Sequence, residues 1–283
     1  MEEKKFDRER FDRLAEEIRY VTTDMICRYG QGHLGGSLSL TEIIITLYYR
    51  IMNIRPEDPE WKNRDRLVLS KGHSGPILYT TLAYKGFFPK SWLATLNMDD
   101  TRLPSHVDHN KTPGIDMTAG SLGQGLSCAC GMALACKMNK KNFRLFCIIG
   151  DGESNEGQIW EAALFAAHKR LDNLVAICDY NRLQIDGFTE DVLGLEPLTE
   201  KWRSFGWQVF EMDGHDWDDI YTKINMAAAV SEKPSMIIAH TIKCKGNKPL
   251  ENKPECHYVR IADTETYHEI MDGLGCKDIQ LPY

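Results

Sequence analysis

The sequence predicts an α/β fold, with a parallel β-sheet that carries helices on both faces. Short apolar runs alternate along the 283 residues with longer segments of helical periodicity, and this alternation is typical of parallel sheets. Two of the apolar runs end in acidic residues, at Gly150-Asp151-Gly152 and at Asp179. Carboxylates at strand ends are expected at the carboxyl edge of the sheet, where open α/β folds bind their ligands.

The first predicted element is an amphipathic helix over residues 7–29. Its apolar residues recur at helical spacing, at Phe11, Leu14, Ile18, Val21 and Met25. The helix is predicted to end at Gly30, which begins a glycine-rich loop that extends to Gly36. A second helix is predicted over 40–52, with Ser39 as its N-cap.

The next segment combines a strand with glycine-containing loops. A short buried strand is predicted over 66–70, and Pro76 is expected to begin the helix that follows its loop. Residues 100–118 are polar and rich in His, Pro and Asp, which predicts a surface loop. The glycines of 120–125 lead into a helix that is expected to end near Met138.

The second half of the chain continues the alternation of strands and helices. The predicted strands cover residues 145–149, 174–178, 208–212 and 235–240. One helix is predicted between the first two strands, and another over 216–230. Because neither a repeat nor a linker interrupts the pattern, we expect a single domain over residues 1–283.

Composition excludes several classes of function. The net charge of −7 argues against a bulk electrostatic attraction to nucleic acid. No run approaches the ~20 apolar residues that a membrane span requires, and the first residues show no apolar signal region. The nine cysteines are scattered without a Cys-x-x-Cys pair, as expected for buried thiols in a reducing compartment. We therefore expect a cytoplasmic protein that binds neither membranes nor nucleic acid.

The two acidic strand ends also predict a cation site. Asp151 offers a carboxylate, and Asn181 offers an amide oxygen just after the second strand. With a backbone carbonyl beyond Asn181, these oxygens suit a hard cation that completes its shell with water and phosphate. Gly-Asp-Gly alone is also a common turn sequence. Two such strand ends joined by one helix favour a metal-bridged diphosphate.

Glycine loops and histidines add to this prediction. Loops at 32–36, 72–75 and 120–125 each precede a helix, where backbone N–H groups attract anions. The glycines of 120–125 do not follow the dinucleotide pattern G-x-G-x-x-G, which weakens a nicotinamide interpretation. Histidines in or near these loops suit phosphate contact, proton transfer or metal ligation, namely His33, His73, His106 and His109. His106-x-x-His109 lies in a predicted loop, and this spacing disfavours zinc.

The motifs keep a fixed order over nearly the whole chain, and together they resemble one family. They are Gln31-Gly32-His33, Leu69-Ser70-Lys71-Gly72-His73, Gly120-Ser121-Leu122-Gly123-Gln124-Gly125-Leu126, Gly150-Asp151-Gly152-Glu153-Ser154-Asn155-Glu156-Gly157, Leu171-Asp172-Asn173-Leu174 and 179–187. The chain is similar in these motifs to the N-terminal, cofactor-binding part of the transketolase family. The resemblance implies the diphosphate-binding domain of the thiamine diphosphate-binding fold.

The resemblance also implies how the cofactor would be bound. Mg²⁺ or Ca²⁺ would be held by Asp151, Asn181 and the backbone oxygen of Leu183, and would bridge the diphosphate of the cofactor. The residues implied to contact the cofactor are His73, Gly152, Asn181 and Lys243 near the diphosphate, and Gly120, Ser121 and Leu122 along the aminopyrimidine.

Three histidines are implied to act on the substrate. The resemblance implies that His33 and His106 face the thiazolium carbon and the donor ketose, and that His257 is a further active-site histidine. Imidazoles suit this work because they titrate near neutral pH. The chain departs from the family pattern beside two of these histidines and beside Lys243, at Ser105, Val107, Cys244, Cys256 and Tyr258. These departures concern the acceptor side, and therefore the sugar specificity.

The resemblance finally implies a partner chain. In the family, a second domain supplies a glutamate to the aminopyrimidine ring, and this sequence reaches Tyr283 without such a domain. We therefore expect the N-terminal subunit of a split transketolase, paired with a C-terminal subunit that carries the pyrimidine-binding domain and its catalytic glutamate. A dimer of heterodimers is implied, with Glu156 and Glu161 near the interface. An ordinary solvated helix face also explains these two glutamates.

The implied reaction transfers a two-carbon ketol unit from a ketose phosphate to an aldose. The partner chain is expected to make most of the contacts with the substrate phosphate. A condensation like that of 1-deoxyxylulose-phosphate synthase is an alternative within the thiamine-dependent enzymes. A non-catalytic cofactor-binding subunit is a third hypothesis, which the retained histidines and the cation ligands disfavour.

Overall fold

The computed structural model describes residues 7–276 and 278–283 and is built around a five-stranded parallel sheet. The strands are β2 (Arg66–Leu69), β3 (Leu145–Gly150), β4 (Leu174–Tyr180), β5 (Gln208–Asp213) and β6 (Ser235–His240), in the order β2-β3-β4-β6-β5. All four neighbouring pairs are parallel, which confirms the predicted sheet. A separate antiparallel pair, β1 (Gln31–Gly32) and β7 (Val259–Arg260), was not predicted from the sequence.

Helices cover both faces of this sheet, as predicted. They are α1 (Arg8–Tyr29), α2 (Gly35–Leu38), α3 (Thr41–Thr46), α4 (Gly75–Lys85), α5 (Gln124–Met138), α6 (Gly157–His168), α7 (Thr189–Leu193), α8 (Leu198–Ser204), α9 (Trp217–Ala228) and α10 (Thr264–Asp272). Residues of α1, α3, α4 and α9 form the core on one face, and residues of α5, α6 and α8 form the core on the other. In the described part of the chain, no helix is long and apolar enough to cross a membrane.

Each strand contributes to both cores because successive side chains point to opposite faces. In β2, Leu67 and Leu69 join the core beneath α1, whereas Val68 joins the core beneath α5. In β3, Phe146 joins the core beneath α1 and Cys147 joins the core beneath α5. Burial on both faces explains why these strands have nearly continuous apolar sequences.

The prediction of Ser39 as a helix N-cap is wrong. The predicted helix over 40–52 begins as α3 and continues as a π-helical turn over Leu47–Ile51. Leu40 is at the N-cap position and makes no side-chain capping bond. The Ser39 hydroxyl instead donates to Asp179 Oδ2 at 2.7 Å. The local sequence predicts that this hydroxyl caps the helix, but it forms a hydrogen bond with a buried carboxylate that is distant in the sequence.

Residues 100–118 contain neither a helix nor a strand, as predicted, but they are more than a surface loop. Leu103, Val107 and Ile115 are buried in the core beneath α4. The hydroxyl of Tyr79 in α4 donates to the carbonyl of Pro104 at 2.9 Å. The segment is therefore packed against α4, which fixes the position of the neighbouring His106.

Helix α5 begins in direct contact with the end of β2. The backbone N–H of Gly125 donates to Ser70 Oγ at 3.1 Å. A Cβ atom on Gly125 would lie 2.3 Å from that oxygen and 2.6 Å from Ser70 Cα. This close approach requires glycine, and it places the first turn of α5 at the carboxyl edge of the sheet.

Two glycines of α5 provide a matched pair for testing this contact. Gly125→Ala is expected to lower the free energy of unfolding by about 1–3 kcal/mol, because the methyl group overpacks Ser70. Gly131→Ala lies in the same helix with open space around the glycine, and should raise stability by about 0.5–1 kcal/mol through helix propensity. Urea unfolding measures both changes. Equal effects of the two substitutions would contradict the assigned contact.

Candidate active site

A cavity of about 490 Å³ lies at the carboxyl edge of the sheet, and it contains most of the predicted site residues. Those that line it are His33, His73, His106, Gly120, Leu122, Asp151, Gly152, Asn181, Leu183, Lys243 and His257. Ser121 is the exception, since it is exposed and does not line the cavity. Residues from several separate stretches of sequence therefore meet where the topology of an open parallel sheet places a ligand.

Four histidines form one cluster in this cavity. The ring centroid of His33 lies 5.1 Å from that of His73, 5.5 Å from that of His106 and 5.4 Å from that of His257. The ring of Tyr258 packs edge-on against His33, at 4.8 Å between centroids. His109 is not part of this cluster, because its Nδ1 pairs with the carbonyl of Ile115 at 2.7 Å.

The cluster is neutral at physiological pH. Burial, followed by the charge of His106, lowers the pKa of His33 to about 4. Burial and the charge of Lys243 lower the pKa of His257 to about 3. Burial also lowers the pKa of His106, and it holds the pKa of His73 well below its usual range. Neutral imidazoles can each donate one hydrogen bond and accept another, which suits contact with substrate hydroxyl groups.

Two of these rings have unused polar atoms. Considering the residues that the structure describes, the buried Nδ1 atoms of His33 and His257 have no hydrogen-bond partner. Buried polar atoms in folded proteins are nearly always paired. The cluster therefore presents unsatisfied positions to a ligand.

The predicted cation ligands lie side by side at the ends of β3 and β4. Gly150 pairs with Asp179 in the sheet, so Asp151 and Asn181 follow at neighbouring strand ends. The carboxylate of Asp151 accepts from the backbone N–H of Gly152 at 2.7 Å and from that of Arg182. Burial, followed by the charge of Asp179, raises the pKa of Asp151 to about 6. A nearby cation would favour the ionised form of this carboxylate.

Lys243 contacts the same oxygen that the sequence assigns to the cation. Its Nζ donates to the backbone carbonyl of Leu183 at 2.7 Å. Burial, followed by the charge of Lys71, lowers the pKa of Lys243, whereas Asp151 opposes this effect. A side-chain ammonium group therefore lies at the carbonyl that the family resemblance assigns to the cation. Asn181 is also engaged, because its Oδ1 accepts from Leu183 N at 3.1 Å.

Across residues 7–276 and 278–283, no three His, Cys, Asp or Glu side chains are grouped so that they could hold a metal ion. The oxygen set of Asp151, Asn181 and Leu183 differs from such a group because it includes an amide and a backbone carbonyl. This chemistry suits a hard cation rather than zinc.

A buried ion pair lies beneath the cavity, and the sequence analysis did not assign it. Lys71 Nζ pairs with Asp179 Oδ2, and both side chains are almost fully buried. Asp179 also accepts from Ser39, Asn181 and Thr241. Burial opposes ionisation of Asp179, but Lys71 and these hydrogen bonds outweigh it and hold its pKa below the usual range.

Glu153 also has a structural role that the sequence patterns did not indicate. Its carboxylate accepts from the Ser70 hydroxyl, from Gly123 N at 2.9 Å and from Gly150 N at 2.9 Å. These contacts join the ends of β2 and β3 to the turn before α5. The available signal was a charged residue inside the motif that follows the buried strand β3, a place where an unpaired carboxylate would be costly.

Comparison with known proteins identifies the family. The family model described as the thiamine diphosphate binding domain of transketolase matches residues 11–278. The chain is 53% identical over 249 residues to the 6-deoxy-6-sulfo-D-fructose transketolase subunit SqwG of Clostridium sp. strain MSTE9, covering 88% of this chain and 90% of that protein. It is 39% identical over 257 residues to a subunit of the apulose-4-phosphate transketolase of Phocaeicola vulgatus, covering 91% of each.

A solved structure supports the same conclusion. The transketolase of Campylobacter jejuni superposes with a TM-score of 0.88 at 29% identity, over 95% of this chain and 43% of that one. This chain thus spans less than half of that enzyme, but nine tenths of the two relatives named as transketolase subunits. These similarities confirm the N-terminal subunit type and the fold predicted from the motifs. The chain therefore belongs to the transketolase family, and it corresponds to the family's thiamine diphosphate binding domain.

Proposed function

We propose that this chain is the cofactor-diphosphate-binding half of a two-chain transketolase. In this proposal, a two-carbon ketol unit passes from a ketose with an anionic tail to an aldose acceptor, with thiamine diphosphate and a divalent cation as cofactors. The observation that carries the proposal is a single cavity that is lined by two chemically distinct groups of residues. One group offers the oxygens of Asp151, Asn181 and Leu183, and the other consists of four neutral histidines.

The residues at the strand ends fit a cation with a diphosphate. The buried carboxylate of Asp151 has a raised pKa, and an ammonium group already contacts the Leu183 carbonyl. Asp151, Asn181 and the Leu183 carbonyl would hold Mg²⁺ or Ca²⁺, which would neutralise diphosphate charge. Lys243, His73 and the backbone of Gly152 would contact the phosphates. Gly120, Ser121 and Leu122 would lie along the aminopyrimidine.

The histidines would act on the substrate rather than on the cation. When bound, the cofactor would supply a thiazolium group that stabilises negative charge on the carbonyl carbon of the donor. His33, His106 and His257 would hold the substrate hydroxyls and move protons at their oxygens. Their neutral state leaves one ring nitrogen free to accept a proton and the other free to donate one. The unpartnered Nδ1 atoms of His33 and His257, noted above for the described residues, support this role.

A second chain would complete the site. We propose a C-terminal transketolase subunit that carries the pyrimidine-binding domain and its glutamate, in a dimer of heterodimers. Apolar side chains at the rim of the cavity support this, because Ile185, Val192 and Leu193 are 67%, 43% and 58% exposed. Glu156 and Glu161 are also exposed, and so are available to a partner. Exposed apolar residues beside a site are typical of interaction surfaces.

The relatives suggest the class of substrate. The names of the two related proteins specify a sulfonated ketose for one and a sugar phosphate for the other. By analogy with these names, we propose that the donor of this enzyme is a ketose whose far end carries a sulfonate or a phosphate.

The cysteines support a reducing compartment such as the cytoplasm, because all nine are free thiols and eight of them are wholly or partly buried.

The function is tested by mixing this chain with a candidate C-terminal subunit. With thiamine diphosphate, Mg²⁺ and xylulose 5-phosphate or 6-deoxy-6-sulfofructose as donor, the mixture should transfer a ketol unit to an aldose, whereas each chain alone should not. Product formation is followed by mass spectrometry. Full-rate turnover by this chain alone would refute the two-chain assignment, and a mixture inactive with both donors would refute the activity.

Removal of the Asp151 carboxylate should abolish cation-dependent cofactor binding. Asp151→Asn keeps the shape of the side chain but removes the charge that faces the cation. Isothermal titration calorimetry of thiamine diphosphate in the presence of Mg²⁺ should show a loss of at least about 100-fold in affinity, in line with a charge-assisted contact of about 3 kcal/mol. Asp191→Asn, on the exposed face of α7, is the matched control. Unchanged binding by Asp151→Asn would refute the cation assignment.

The histidine cluster should make the apoprotein less stable as the pH falls. The folded-state pKa values of about 4 for His33 and about 3 for His257 lie below the ordinary value of 6.5. Below pH 6.5 the unfolded chain therefore binds protons that the folded chain does not, so stability decreases as the pH falls from about 6.5 towards 4. The double variant His33→Asn with His257→Asn should flatten this dependence.

Urea unfolding between about pH 5 and pH 7.5 measures the effect. The comparison of slopes separates the histidines from Asp151, whose raised pKa acts in the opposite direction. His168→Asn, at the exposed end of α6, is the control. If the double variant and this control keep the same slope as the unaltered chain, the histidines are not the source of the pH dependence.

A further inference from the structure

Gln184 occupies a fixed position in the cavity to which neither the sequence motifs nor the relatives assign a role. It follows Leu183, whose carbonyl is the proposed cation ligand, and it lines the cavity. Its backbone N–H donates to the carbonyl of Gly187 at 2.9 Å, which closes a tight turn. Gly187 has a φ of +143°, a conformation that favours glycine. The turn therefore holds Gln184 in one place beside the strand end.

The side chain of Gln184 lies over Gly152. From the point where a Cβ of Gly152 would be, Gln184 Cβ is 3.2 Å away, Oε1 is 3.3 Å away and Cδ is 3.4 Å away. The amide thus occupies the space into which a side chain at the second glycine of Gly150-Asp151-Gly152 would extend. This is the glycine that the proposed function places against the phosphates.

The amide nitrogen of this side chain has no hydrogen-bond acceptor within the described part of the chain. Its Nε2 is buried, and no other group in the described ranges accepts a hydrogen bond from it. A buried donor without an acceptor is unfavourable, and such groups in native structures commonly mark a ligand. Because an amide N–H₂ group only donates, the missing partner must be an acceptor.

The surroundings identify the kind of acceptor. Lys243 lines the same cavity and supplies positive charge, whereas Lys71 is paired with Asp179 and the nearby histidines are neutral. Carboxylates also line the cavity, namely Asp151, Glu153, Glu156 and Asp186, so an anion would bind there together with the divalent cation of the proposed function. An anion with several oxygen acceptors suits this combination. We propose that Gln184 Nε2 donates a hydrogen bond to the diphosphate of the cofactor, and that Gln184 is a further cofactor-binding residue. The inference rests on the proposed function, because that function supplies the diphosphate.

A neutral donor is better suited to this position than a third cation. Lys243 already lies close enough to Lys71 for their like charges to oppose each other. Another ammonium group beside Gly152 would add to this repulsion whenever the cofactor is absent. An amide gives the phosphate oxygen a hydrogen bond without that cost, and its planar group lies where a side chain at Gly152 would be.

The test uses the full chain and two probes, thiamine diphosphate and inorganic pyrophosphate, each titrated by calorimetry in Mg²⁺. Gln184→Met keeps the length of the side chain and removes the donor, and should weaken both probes by about tenfold or more. Gln184→Glu keeps the shape and places a negative charge against the phosphates, and should weaken both further. Gln208→Met and Gln208→Glu, at the exposed start of β5 on the opposite edge of the sheet, are the matched controls.

Each outcome distinguishes this inference from the proposed function. Equal loss of affinity for both probes in the Gln184 variants, with the controls unchanged and the thermal unfolding of all four variants intact, supports the contact with the diphosphate. Unaltered binding by the Gln184 variants overturns the inference and leaves the proposed function standing. Loss confined to thiamine diphosphate also overturns it, because the contact would then be to the rings. Failure of the unaltered chain to bind either probe, both alone and mixed with the C-terminal subunit, would refute the proposed function itself.

Discussion

The geometry of the cavity depends on the buried ion pair between Lys71 and Asp179. Removal of two charges from water is costly, and a buried pair is tolerated only when its remaining polar atoms are also satisfied. Asp179 meets this condition with hydrogen bonds from Ser39, Thr241 and Asn181. The carboxylate thereby connects the loop after β2, the turn before α3 and the ends of β4 and β6. It therefore anchors the loop that carries His73 and the strand end that carries Asn181.

A second constraint is the close packing of glycine-containing loops around Glu153. Its carboxylate satisfies the backbone N–H groups of Gly123 and Gly150 and holds the hydroxyl of Ser70. Gly72 is equally constrained, because a Cβ there would lie 2.4 Å from the carbonyl of Ala119. The glycine-containing loops are therefore shaped by contacts within the chain itself. Such preorganisation lowers the entropy that binding would otherwise cost.

Local patterns predict the sheet and the edge at which the site lies, but not the contacts between distant residues. The strands were found because they are uniformly apolar, and Asp151 and Asn181 because they follow those strands. Ser39 was misassigned because a serine before a helix is a local signal, whereas its acceptor lies 140 residues away. Lys71 and Asp179 are 108 residues apart, and β1 and β7 contain two residues each. Neither feature produces any periodicity in the sequence.

The position of Lys243 has a consequence for how a cation would bind at the strand ends. The ammonium group of Lys243 contacts the Leu183 carbonyl. A positively charged side chain therefore lies at the acidic ends of the strands and acts as their counterion. Under the proposed function, cation binding would exchange one positive charge for another, because the cation would compete with this tethered side chain for the Leu183 carbonyl.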